Sequence, residues 1–161
     1  MARQGVIPDW RPVLQAGGRW SALVRPGAGP RDVPQGGIAF LAAPWLGEVT
    51  VRQELRADRA ARLGMMVSRE LVRLQARGVT AICPVLLLDW MATAGPLVPG
   101  AAVPCDREAW EAWSWPILAA AASVVVPDVQ GWDRCPSVWA QVSRALQHNL
   151  SVYVYAGRGG R

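Results

Sequence analysis

Ile38-Ala39-Phe40-Leu41-Ala42-Ala43-Pro44 is a short apolar run stopped by a proline. A run of this kind reads as a β-strand covered on both faces, because a strand with one wet side would alternate polar and apolar residues. Working outward, strands are expected near 38–43, 79–84, 123–128 and 151–156, each a brief apolar stretch. From Val51 to Arg77, Leu55, Leu63, Val67, Leu71 and Leu74 recur at helical spacing among arginines and glutamates, and Gly78 ends the pattern. A long helix, bent at Gly64, is expected there.

Val79 to Leu88 reads as the second strand running into a long loop, Asp89 to Cys105, which carries Gly95, Pro96, Pro99, Gly100 and Pro104. Asp106 is placed to cap the next helix, with Glu108 in its first turn. Ser114 is placed to cap a further segment, because Pro116 suits a first turn better than an interior. Ser123 to Val129 is a β-branched strand, Pro136 to about Gln147 a helix, and Ser151 to Ala156 the last strand. This βαβαβαβ order predicts an α/β fold: a three-layer, doubly wound parallel sheet of four to five strands. Ligands of such sheets sit beyond the carboxyl ends of the strands. That directs attention to Ala43–Gly47, Pro84–Trp90 and Pro127–Ser137.

Residues 1–36 differ in kind, with Pro8, Pro12, Pro26, Pro30 and Pro34 among many glycines and no periodicity. They are expected to form an irregular N-terminal arm that proteases nick first, ahead of a domain over 37–161. Trp10, Trp20 and Leu23 are the residues able to pin it. The chain has 161 residues, 52% of them hydrophobic and 18% charged, enough for one buried core. Its net charge is +5, with every basic residue an arginine. Residues 1–35 hold five arginines against Asp9 and Asp32, so the rest is nearly balanced and a dedicated nucleic-acid face is disfavoured.

Cys83, Cys105 and Cys135 are odd in number and widely spaced, and His148 is the single histidine. Neither a metal site nor a His-dependent triad is expected from so few scattered groups, and reduced thiols fit a cytoplasmic protein. The longest apolar run, Ile117 to Pro127, falls well short of the roughly 20 residues that span a bilayer. No GxGxxG or Walker loop occurs, so no nucleotide cofactor is implied.

The most distinctive stretch is Pro127-Asp128-Val129-Gln130-Gly131-Trp132-Asp133-Arg134-Cys135-Pro136-Ser137-Val138-Trp139-Ala140-Gln141. It leaves a buried strand, crosses a polar turn and enters a helix whose first-turn N–H groups point at the crevice. Together with Ile38 to Pro44 and with Arg59 in a helix closed by Gly78, this stretch resembles the nucleoside 2-deoxyribosyltransferase family. The resemblance covers about residues 37–156. It implies a flavodoxin-like or Rossmann-like fold, a nucleoside or nucleotide ligand, and homo-oligomers; an active member would be a deoxyribosyltransferase or an N-glycosidic-bond hydrolase.

Residue by residue, the resemblance implies ligand contacts from Phe40, Pro44, Trp45, Arg59, Gly131, Trp132 and Ser137. Phe40 stands where the family has tyrosine, and Gln141 where it has its nucleophilic glutamate. Gln141 is a candidate catalytic residue expected to face the same cleft as Asp128, Trp132 and Phe40. A neutral amide is a poor nucleophile toward an anomeric carbon, and the role open to it without that chemistry is to hydrogen-bond a ribose hydroxyl. Asp128 and Asp133 are then the candidate bases toward water. Trp45, Trp90 and Trp132 lie beyond strand ends, placed to stack on a base, while Trp110, Trp113 and Trp139 are expected to pack between helices. The competing reading is an interaction protein that uses its tryptophans and basic arm.

Overall fold

The structure is a computed structural model, and it describes residues 8–44, 50–51, 54–55, 57–100, 103 and 106–155. Seven strands are present among them: β1 (Val24–Pro26), β2 (Ile38–Leu41), β3 (Thr50–Val51), β4 (Glu54–Leu55), β5 (Thr80–Ile82), β6 (Ser123–Val126) and β7 (Ser151–Val154). The helices are α1 (Arg11–Leu14), α2 (Ala57–Gln75), α3 (Pro84–Ala94), α4 (Arg107–Ala119) and α5 (Pro136–Gln147). Five strands form one sheet in the order β1-β7-β6-β2-β5, and every pairing is parallel. The fold is therefore the expected three-layer α/β arrangement.

One register row runs across the sheet from Val24 through Val152, Val124 and Phe40 to Ile82. All four residues of β6 are buried, as a central strand with both faces covered requires. α5 packs on β6 and β7, and α4 packs on α5. α2 turns Ala60, Leu63, Val67 and Leu74 to the core, one apolar stripe at helical spacing. Gly37 sets the entry to β2 at φ +148°, where an added Cβ would stand 2.6 Å from the Cβ of Ala122. Only glycine fits that approach.

Counting from β2, the strands lie in the flavodoxin-like order 2-1-3-4, and the fifth place is filled from the N-terminal side by β1. The arm, irregular over most of its described length, thus supplies the edge strand and a one-turn helix. It is also pinned. Trp10 is buried, its indole Nε1 donates to the backbone oxygen of Asp133 at 2.7 Å, and its ring meets Trp132 and Trp139 edge-on at 4.7 and 5.0 Å.

Three local expectations are revised. α2 begins at Ala57 rather than Val51, because Thr50–Val51 pairs antiparallel with Glu54–Leu55. The second strand stops at Ile82, and Pro84 opens α3 where its fixed φ suits a first turn. That helix is apolar on nearly all sides, so periodicity could not tell it from a strand. It extends to Ala94 and a 3-10 turn, Gly95–Leu97, shortening the foreseen loop. Third, α4 runs unbroken through Pro116, while Asp106 caps it as expected, accepting from the Ala109 N–H at 2.8 Å.

Two outcomes follow from this packing. Trp10→Ala removes a buried indole and its hydrogen bond far from β1 in sequence, and should cost about 3–5 kcal/mol in urea unfolding. Cys83, buried between β5 and α3, has its thiol pushed up to about 12 by loss of solvent, partly offset by the N–H groups of Leu86 and Val85. An unfolded thiol ionises near 8.5, so the folded form holds its proton longer and stability falls as pH rises through that window. Between pH 9 and 10 the unfolding free energy of the natural protein should drop more steeply than that of Cys83→Ala, by about 1 kcal/mol per pH unit.

Candidate functional site

The chain leaves β2 toward β5 on one side and later returns to β6 on the other. Between those two departures the ends of β2 and β6 are not bridged by a direct connection, and this switch point is where open α/β sheets take their ligands. The Ala42 N–H donates to the Val125 oxygen at 2.8 Å, continuing the ladder to the lip of the crevice. Beyond it, β6 exits through Pro127-Asp128-Val129-Gln130 into a tight turn. Gly131 has φ +86° and is buried, the 3-10 turn Trp132–Arg134 follows, and Pro136 opens α5.

Two hollows lie along α2 where it faces this exit. The first, about 220 Å³, is lined by Arg59, Arg62, Leu63, Met66 and Gln130. The second, about 190 Å³, is lined by Met66, Arg69, Glu70, Arg73, Pro127, Asp128, Val129 and Tyr155. Met66 borders both, so the two adjoin and together make a groove along α2, with four arginines on its helix side. Asp128 is exposed and Glu70 is buried.

Glu70 was not foreseen as a site residue. It occupies the core stripe of α2, three residues after Val67 and four before Leu74, and is 4% exposed. Its Oε2 accepts from Arg73 Nη1 at 3.2 Å. The hydroxyl of Tyr155, just past β7, is buried. Burial raises the Tyr155 phenol far above its ordinary range, and the nearby Glu70 carboxylate raises it further. The two groups face each other closely enough for the carboxylate to act on the phenol through a hydrogen bond as well as through its charge. A carboxylate at a core-facing helical position was the signal in the sequence.

The foreseen residues divide into three groups. Arg59 and Asp128 line the groove, one in each hollow. Gly131, Trp132, Asp133 and Ser137 share the turn and first helical residues beyond β6, but Trp132 is buried under Trp10 and offers no free face for stacking. Phe40, Pro44 and Gln141 are sealed: Phe40 within a strand covered on both faces, Gln141 beside Val138, Val142 and Ala145. Phe40 and Gln141 line neither hollow, and the Gln141 Oε1 is buried without a partner. Trp45 lies outside the described residues. Trp110 is buried and stacks on Trp113 at 5.4 Å, so those two pack as expected, as does Trp139. Trp90 lies on α3 rather than at a strand end and is exposed.

Residues 37–157 match DUF1937, a domain of unknown function. The chain belongs to this family. No curated protein and no solved structure gives a match. The DUF1937 match spans β2 to β7 and both hollows, while α1, β1 and Trp10 precede it. In this DUF1937 chain no cluster of three or more His, Cys, Asp or Glu suited to a metal ion occurs among the described residues, and none of the described helices is long and apolar enough to cross a membrane.

The turn beyond β6 depends on one glycine. A side chain at Gly131 would have to hold the left-handed conformation inside a buried turn, so Gly131→Ala should cost about 1–2 kcal/mol. Thermal unfolding reads it, with Gly100→Ala, at an exposed left-handed position open on all sides, as the control for backbone strain alone.

Proposed function

We propose that this chain is a nucleoside- or nucleotide-binding domain resembling the nucleoside 2-deoxyribosyltransferases, with its ligand in the groove between α2 and the exit of β6. The observation that carries the reading is the position of that groove: it lies at the switch point of a parallel sheet, with Arg59, Gln130 and Asp128 directed into it from two elements. Arginine and amide groups hydrogen-bond the polar edges of a base or a phosphate, and a carboxylate accepts from sugar hydroxyls. If the domain cleaves its ligand, Asp128 is the group exposed to activate water, giving hydrolysis of an N-glycosidic bond. Asp133 is exposed on the turn but lines neither hollow. Gln141 in place of the family's glutamate favours a binding protein or hydrolase over a transferase that works through a covalent glycosyl intermediate. Self-association is part of the same reading, by resemblance alone.

A second reading has its own support. Leu87, Trp90, Leu97 and Val98 on α3 and the following turn are exposed, Trp90 at 76% and Leu97 at 82%. Apolar groups exposed in this way mark contact surfaces when they are contiguous, which suits a non-catalytic interaction protein.

A thermal-shift panel of nucleosides and nucleotides separates the two. A ligand present at a hundred times its Kd stabilises the folded state by about 2.7 kcal/mol, which for a chain of this size raises Tm by roughly 5–10 °C. Arg59→Ala and Asp128→Ala should each reduce that shift. No shift from any ligand in the panel would refute the binding reading in favour of the interaction protein.

A further inference from the structure

The two edges of the sheet differ. β1, at one end, carries Arg25 and Pro26, and a proline cannot donate to a further strand. β5, at the other end, is Thr80-Ala81-Ile82, and among the described residues it pairs with β2 alone. Neither a charge nor a proline guards this strand; Thr80 is exposed, and Ala81 and Ile82 are half-buried. The backbone groups on its outer side are a template for one more strand.

α2 extends this edge into a surface. Its core stripe divides two flanks. Arg59, Arg62, Arg69 and Arg73 line the groove toward the exit of β6. On the flank toward β5, Leu71, Val72 and Gln75 form an open hollow of about 500 Å³ with the chain from Gly78 to Ala81. Helical spacing puts Met65 and Ser68 on that same flank, and none of these residues is charged. Met65 and Val72, seven residues apart, are 65% and 64% exposed.

The distribution of charge constrains what covers this surface. The chain carries a net +5, and two copies apposed through the groove side of α2 would set arginine against arginine, whereas the β5 flank brings no charge to bury. A three-residue strand is small against the roughly 800 Å² per partner that stable interfaces bury, so the occupant covers the helix flank as well as the strand. An extended peptide adds a strand and no helix. A second copy of this chain brings both, an open edge and an uncharged α2 flank, in matching positions. The guarded β1 edge gives no foothold for head-to-tail growth, which leaves a closed pair.

We propose that the β5 edge is the dimer interface of this chain. Two copies of β5 pair antiparallel about a two-fold axis perpendicular to the sheet, which then continues through both molecules, and the two α2 helices meet across the axis through Val72 and its neighbours. The proposal stands apart from the ligand reading, since the groove lies on the other flank of α2.

Gel filtration with light scattering, run on the full chain from micromolar to submillimolar concentration, tests it. The expected mass at the upper end is twice that of the chain, and amide exchange at Thr80 to Ile82 should slow as concentration rises. Val72→Arg sets like charges across the axis and Thr80→Lys guards the edge, so each should weaken the dimer about tenfold or more. Both residues are exposed, so the variants should keep their fold by circular dichroism. Arg69→Ala, on the groove flank, should change the affinity by less than about twofold. A chain that stays monomeric throughout leaves the edge to a foreign strand and overturns the proposal. A dimer that survives both Val72→Arg and Thr80→Lys, or one whose β5 amides exchange as fast as in the monomer, overturns it as well.

Discussion

β2 hydrogen-bonds to β5 along one edge and to β6 along the other, and most of the molecule's geometry depends on that double pairing. A strand with neighbours on both edges and helices on both faces has no exit to water, so Ala39 to Leu41 are apolar and buried. Because the connection to β5 leaves on one side and the return to β6 comes from the other, the loops part above the carboxyl ends. The groove along α2 is a consequence of that parting. Its lining comes from α2, from the exit of β6 and from Tyr155 past β7, and these elements are held in place by their own apolar faces rather than by contacts within the groove.

The N-terminal arm closes the far edge of the same sheet. Without β1, the backbone groups of β7 would present an unpaired edge, which sheets ordinarily cover. One strand pairing of three residue pairs is a weak hold on a segment rich in proline and glycine. The indole of Trp10 supplies the rest, since it packs between Trp132 and Trp139 and satisfies its own N–H on the Asp133 carbonyl. Arm and β6 exit therefore share one aromatic cluster, which couples the order of the arm to the conformation of the turn that borders the groove.

Polar groups in the core have a different weight from those at the rim. Asp128, Arg59 and Arg69 are exposed and would be solvated in the absence of any ligand. Glu70 is buried with Arg73 and Tyr155 beside it, and its carboxylate carries a desolvation cost that these partners and the surrounding packing must offset. The same physics acts on the Cys83 thiol, where burial alone favours the protonated form.

The sequence by itself determined four of the five strands of the sheet, their parallel pairing, α5 from Pro136 to Gln147 and the Asp106 cap, because each rests on a local signal: an apolar run, a periodic stripe, a proline at a first turn or a capping side chain. It also located the exit of β6 as the place to look, since the crevice rule needs only strand order. It left α3 ambiguous, as an all-round apolar helix has no period to read. Three things were decided only by the tertiary structure. β1 became a strand because β7 offered it an edge, the stacking face of Trp132 was lost to a tryptophan more than a hundred residues away, and Glu70 was buried beside Tyr155 at the ends of β6 and β7. In each case the determining partner is distant in the chain, and no local pattern encodes which surfaces a segment will meet once the sheet has closed.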